Sequence, residues 1–365
     1  MSSQTYTPSN TTISTWFPPE IPVNTQTPLT RNRREFLRRL SIAGAAGLFG
    51  LRPGSAAAEP PPEITTIRLI RETEFAVLCY APQYIAEEFL RMEGFTDVRY
   101  VPKGVQGSEV QALIHKQADM SAALGVDWII PIADRQPVVV LGGLHAGCIE
   151  VFASDKVQSI RELKGKRLAV HGLKSPDRFL LASIVSYIGL DPDRDIEWVF
   201  AKPNDWAQLL GEGRVDAIIT FPPLNYDLRA KKIGHVILNT TIDKPWRHYF
   251  CCMVGARREF VQQYPVATKR ALRAIFKANQ LCSQEPQRMA QKLVDNGQAA
   301  SYDYALQTLR DIPYQAWHSY DPADTLRFYS LRLHEAGFIK NPPQEIIAQG
   351  TDWRYFNELK KELKV

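Results

Sequence analysis

The stretch from Leu163 to Leu190 most constrains what this chain can fold into. A basic turn, Leu163-Lys-Gly-Lys-Arg, leads into an apolar strand from Arg167 to Val170, a break at Gly172 and a helix whose apolar residues run from Phe179 to Leu190. Strand, loop and helix in that order aim the loop's N–H groups beyond the strand's carboxyl end. The free donors and positive dipole of a helix N-terminus there suit a small anion or a polar ring substituent.

The same alternation recurs on both sides. The pattern predicts strands at Ile64 to Arg71, Val98 to Val101, Met120 to Gly125 and Val138 to Leu144, then Ile196 to Phe200, Asp216 to Phe221 and Val236 to Leu238. Helices fall between them at Ala81 to Met92, after Gln106-Gly107-Ser108-Glu109 with Ser108 as N-cap, from Asp127, and at Trp206 to Leu210. Repeated β-α alternation argues for parallel sheets with ligands beyond the strand carboxyl ends. From Arg258 onward the chain reads as helix, punctuated by Pro265, Pro286, Pro313 and Pro342, without a repeat or a charge block.

The first 29 residues are rich in Ser, Thr, Asn and Pro and lack periodicity. Arg33-Arg34 with Phe36-Leu37 then precedes an apolar segment, Leu40 to Leu51, too short for the roughly 20 residues of a membrane span. Ala56-Ala57-Ala58 closes it as a small-residue cleavage site. This resembles a twin-arginine export signal, with Asn32 and Arg38 replacing the first and last members of its pattern. It implies passage through the twin-arginine translocase, cleavage near Ala58 and a periplasmic location.

Export changes the charge argument. The full chain carries +5, but removing residues 1–58 takes six arginines and two glutamates with it and leaves 38 basic against 37 acidic residues. That balance offers no general attraction to nucleic acid. The five cysteines, at 79, 148, 251, 252 and 282, have no C-x-x-C or C-x-x-H spacing, so no metal framework is predicted; they read as buried free thiols in preference to a disulfide, which an oxidising compartment would allow. Cys251 and Cys252 should alternate across a strand from Tyr249 to Val254.

Leu163-Lys-Gly165-Lys166-x-x-Ala169-Val170 resembles a segment of type II periplasmic substrate-binding proteins of the nitrate, sulfonate and taurine (NitT/TauT) importer branch, which includes pyrimidine-precursor binders. Ala81-Pro82-x-Tyr84-Ile85-Ala86, Glu109 to Asp119, Gly211 to Ala217, and Ala256 to Pro265 resemble further segments of that family in order, with Gln117 where glycine is usual. The resemblance covers most of residues 64–295. It implies an α/β, two-lobed type II periplasmic-binding fold with mixed, mostly parallel sheets flanked by helices and a helical C-terminal extension. Lobe one would comprise 64–147 and 250–365 and lobe two 148–249, hinged where the chain crosses near Ala146 to Phe152 and Trp246 to Cys251. Implied partners are a small solute and an ABC transporter permease in the inner membrane, with the protein a monomer, no cofactor and no catalysis.

Strand ends then select the cleft residues. Glu72 and Thr73 follow the first strand, Gly107 and Ser108 the second, Val126 and Asp127 the third and His145 the fourth. Lobe two supplies His171, Gly172, Ser175 and the turn at Phe221 and Pro222. Each has a plainer reading: Ser108 and Ser175 as helix caps, His145 and His171 as satisfied histidines, Gly172 as a turn. Trp206 and Trp246 suit either core or a stacking platform. Asp127 or Glu72 would counter a cation; the donors of Gly172 to Ser175, with Lys174, would hold an oxyanion.

Capture of a solute such as a sulfonate, nitrate, taurine or a pyrimidine is therefore one expectation. The alternatives are a sensory module or an enzyme on the same fold, such as a pyrimidine synthase or a menaquinone-pathway dehydratase. The synthase's C-C-C-F-C element is absent, Phe250-Cys251-Cys252 being a faint counterpart, and no G-x-S-x-G, H-E-x-x-H or phosphate loop is present.

Overall fold

The computed structural model describes residues 59–73, 77–103 and 107–364. Residues 1–58, with the expected export signal, and Gln106 lie outside the described residues.

Two five-stranded sheets carry the fold. The first contains β1 (Thr66–Arg71), β2 (Asp97–Pro102), β3 (Met120–Leu124), β4 (Val138–Ala146) and, much later in the chain, β10 (Phe250–Arg257), in the order β2-β1-β3-β10-β4. The second contains β5 (Glu150–Ala153), β6 (Lys166–Val170), β7 (Ile196–Phe200), β8 (Ala217–Thr220) and β9 (His235–Asn239), in the order β7-β6-β8-β5-β9.

Each sheet has one strand running against the rest. In the first, β10 is antiparallel to β3 and β4; in the second, β5 is antiparallel to β8 and β9. These are the strands by which the chain enters each sheet from the other. A chain that leaves one sheet at its carboxyl edge and enters the facing carboxyl edge of the next has to run against its neighbours. β5 was not anticipated from sequence, where Glu150 to Phe152 reads as crossing.

The remaining differences are local. The helix expected from Ala81 to Met92 is two, Ala81–Tyr84 and Glu87–Met92, and the helix Leu224–Lys231 has no counterpart in the expectations. Ser108 caps the helix Glu109–Ile114, accepting the Gln111 N–H at 3.2 Å. Cys251 and Cys252 do not separate to opposite layers: the β4–β10 register shifts on both sides of Cys252, both thiols are buried, and their Sγ atoms lie 3.9 Å apart.

The two sheets share an anchoring device. Asp119 accepts the Arg68 backbone N–H at 2.9 Å, Nε at 3.1 Å and a terminal nitrogen at 2.8 Å; Asp216 accepts the same three donors of Arg167 at 2.9, 3.1 and 2.9 Å. Arg257 adds a second guanidinium to Asp119 at 2.7 Å.

Four of the helices after β10 begin at proline, at Pro265, Pro286, Pro322 and Pro343, positions where the missing N–H costs nothing. They reach both sheets. Trp317 stacks on Phe276 with ring centroids 4.2 Å apart, close to Phe356 at 5.5 Å, and forms core behind the first sheet. Phe338 meets Phe179 edge-on at 5.7 Å on the second-sheet side, and the Arg178 guanidinium lies 4.9 Å from the Phe338 ring. Thr351 pairs with Val140, and the Asp352 N–H donates to the Val140 carbonyl at 3.0 Å, covering the open edge of β4.

Candidate functional site: the cleft between the sheets

The loops beyond the carboxyl ends of both sheets enclose about 580 Å³ of space, counting its open mouth. Val77, Cys79, Tyr80, Lys103, Gly107, Glu109 and Leu124 line it from the first sheet; His171, Pro176, Asp177, Pro203, Trp206 and Phe221 line it from the second. Beside it the Leu78 N–H donates to the Pro222 carbonyl at 3.2 Å, so the two sides are held together.

The first-sheet wall is acidic. Lys103 is buried and paired with the equally buried Glu72 at 2.5 Å. Glu109, in the first turn of its helix, is pushed by burial up to about 7, Lys103 working against the shift and Glu72 with it. Behind it Asp127, in the turn Gly125–Trp128, is pushed up to about 8 by burial and then by Glu109, and its Oδ2 has no hydrogen-bond partner. Gly107 holds φ +86°, a conformation an L side chain rarely adopts, and carries the chain into the helix behind Glu109.

On the second-sheet wall the loop after β6 satisfies itself. The His171 N–H donates to Asp177 Oδ2 at 2.7 Å, the Gly172 N–H to Ser175 Oγ at 3.1 Å, and the Ser175 hydroxyl to the Gly172 carbonyl at 2.7 Å. The chain's own carboxylate thus takes the place beside the helix Pro176–Tyr187 where an outside anion was expected. Burial pushes Asp177 up, against the pull of hydrogen bonds from the His171 N–H and Ser175. Trp206, almost wholly buried, is fixed by its indole N–H to the Ala201 carbonyl at 3.1 Å, and it lines the cleft with half-buried Phe221.

Of the residues expected at strand ends, Gly107, His171 and Phe221 line the cleft. Glu72, Ser108 and Asp127 are buried immediately behind its wall, and Ser175 is buried against Gly172. Val126 lines a small cavity deeper toward the crossings, with Gly147 and Trp246. Thr73 is exposed on a separate groove, and Pro222 faces another groove with Asn225 and Arg229. His145 differs most: it is fully buried among cysteines at the end of β4, because that strand runs on past Leu144 and turns the side chain inward.

Lys103, Glu109 and Asp177 were not selected from sequence, where Trp206 reads as either core or a stacking platform. Lys103 directly follows β2, so the strand-end rule reaches it. Glu109 and Asp177 sit one and two residues past the serines chosen as caps, where acidic residues have an ordinary explanation in the helix dipole.

The NMT1-like family matches residues 146–294. No curated protein matches the chain by sequence. Among solved structures, the periplasmic nitrate-binding protein NrtA from Synechocystis PCC 6803 superimposes with a TM-score of 0.69 at 16% identity, over 84% of this chain and 91% of that one. The periplasmic aliphatic sulphonate binding protein SsuA from Escherichia coli gives 0.60 at 15%, over 80% and 94%. The desulfurization enzyme DSZB gives 0.57 at 15%, over 82% and 100%. The likeness is one of architecture: this chain has the periplasmic-binding-protein fold, with a helical C-terminal region. That fold carries both solute binders and an enzyme among these neighbours.

Proposed function

We propose that the chain is the solute-binding component of an ABC importer, and that its cleft holds a small flat solute bearing a protonated nitrogen or N–H donors. The observation that carries this reading is the set of carboxyl groups, buried Glu109 and Asp127 and half-buried Asp177, facing or backing a cleft whose one ammonium group among the described lining residues, Lys103, is already paired with Glu72. Buried carboxyl groups held above their ordinary range are stabilised by an incoming positive charge. Trp206 and Phe221 suit the faces of a ring. An oxyanion would find the N–H groups of His171 and Gly172 already engaged. The crossings around 147–149 and 240–249 serve as the hinge between lobe two and the discontinuous lobe one.

A thermal-shift and calorimetric panel tests this, setting small amines, amidines and amino-heteroaromatics against nitrate, sulfonates and taurine. A solute at about 100 times its Kd stabilises by about 2.7 kcal/mol. A cation favours ionised Glu109 and Asp127, so those groups release protons on binding. Affinity therefore rises with pH from about 6 to 8, by up to about tenfold per pH unit for each proton released. Glu109→Gln should flatten that rise. A sulfonate or nitrate hit whose affinity falls as pH rises defeats the cationic reading.

Delivery to a permease requires export. Arg33→Lys combined with Arg34→Lys should leave the unprocessed protein in the cytoplasm, read by cell fractionation; undiminished processing would exclude the twin-arginine route.

A further inference from the structure

The structure assigns a second site that the solute reading does not use: we propose that Cys79, His145, Cys148 and Cys252 bind one thiophilic divalent ion of the zinc class. The ligand atoms of these four residues all lie within 4.8 Å of one another, and all four residues are buried, none more than 4% exposed. A tetrahedral zinc ion, with Zn–S near 2.3 Å and Zn–N near 2.0–2.1 Å, sets its ligand atoms about 3.5–3.8 Å apart. Contraction by about an ångström at most closes the shell. His145 and Cys148 are only three residues apart, but Cys79 and Cys252 lie far from them in the chain, which is why the cysteine pattern does not announce the site. It is assembled from the loop after β1, the end of β4, the crossing and β10.

Three further observations point to an ion. His145 is completely buried, its Nδ1 lies 3.3 Å from the Ala146 carbonyl, and its Nε2 has no hydrogen-bond partner. An imidazole that donates from one nitrogen to a backbone carbonyl keeps the other nitrogen's lone pair for a metal. Tyr314 then braces two of the ligands: its ring meets His145 edge-on at 5.3 Å and its hydroxyl donates to the Cys79 carbonyl at 3.0 Å. Cys148 holds φ +96°, a strained value for a side chain of its size, and the fold sustains it where its thiol joins the group.

Binding replaces three thiol protons, released to solvent, by one ion, leaving a net charge of −1 on the three thiolates, the neutral imidazole and the ion. Cys79 also lines the cleft, which provides an entry path. A closed shell of four protein ligands makes the site structural. Because Cys148 stands on one crossing and Cys252 just after the other, the ion would tie both crossings to lobe one.

Cys251 supplies the competing chemistry. Its Sγ lies 3.2 Å from that of Cys148, and an oxidant could join the two as a disulfide, each thiol losing a proton and an electron. The experiment uses the full chain, purified anaerobically with a phosphine reductant. Metal content by mass spectrometry should give one zinc per chain, and Co²⁺ titration should give the intense visible bands of a tetrahedral site with thiolate-to-cobalt charge transfer. Cys79→Ser and Cys252→Ser should lose or weaken both signals, while Cys282→Ser, a buried cysteine outside the cluster, keeps them. The cobalt spectrum of the unaltered chain stands even where a variant fails to fold. The proposal is overturned if the reduced chain takes up neither metal, if cobalt binds without thiolate charge transfer, or if peptide mapping finds Cys148 joined to Cys251 in the metal-free native protein. None of these readouts depends on the solute, so failure here leaves the solute reading standing.

Discussion

Replacing Trp317 by alanine is expected to lower the folding free energy by about 3–5 kcal/mol, the usual loss for a fully buried tryptophan. Its indole is entirely removed from solvent, stacked on Phe276 and flanked by Phe356, so truncation leaves a cavity bounded by two rings on separate helices. Those helices keep their backbones in place, and the cavity cannot collapse cheaply. Urea unfolding of the purified protein measures the loss. Trp353→Ala, at a half-buried position, should cost less. A Trp317→Ala protein with an unchanged midpoint would show that the region after Ile312 is an appendage rather than core.

Asp119→Ala should cost a comparable amount, about 3 kcal/mol or more, because it leaves the partly buried Arg257 and Arg68 facing one another without their shared carboxylate. Asp216→Ala removes the partner of one arginine rather than two and should cost less. The pH dependence has a definite sign. Burial pushes the Asp119 carboxyl up, but hydrogen bonds from Arg68 and Arg257 more than reverse it and hold it below the ordinary carboxylate range. A carboxyl whose folded value is depressed contributes its stability above the unfolded value of about 3.9 and loses it as pH falls through the folded value. Acid unfolding monitored below about pH 4 should therefore be shallower in Asp119→Asn than in the parent. An identical acid slope in the two proteins would remove Asp119 as a source of the pH dependence.

That anchor also shows how sequence and structure divide the information. The segments ending at Asp119 and Asp216 are each visible in the chain as a helix followed by an acidic residue before a strand, yet no repeat of ordinary kind links them. Only when β1 pairs with β3 and β6 with β8 does each aspartate meet the arginine of the neighbouring strand. The site divides similarly. The rule that ligands lie past strand ends reaches Gly107, His171 and Phe221, which line the cleft, because it depends only on chain direction. It does not say which donors remain available. Asp177 lies within the stretch that seemed ready to hold an anion, and it occupies the His171 N–H itself.

What the sequence determined alone is most of the alternation of strands and helices through Phe221, without β5, together with the capped helix behind Ser108, the proline-punctuated helical C-terminus and the α/β class. These follow from hydrophobic period, capping and proline chemistry, which act between residues a few positions apart. Tertiary structure alone decided the antiparallel strands β5 and β10, the acidic character of the cleft, the bridging of both sheets by the helices after Ile312 and the meeting of Cys79, His145, Cys148 and Cys252. Each of these depends on residues far apart in the chain. Their proximity is set by how the sheets face one another and by the direction in which each crossing returns, and local pattern carries no record of either.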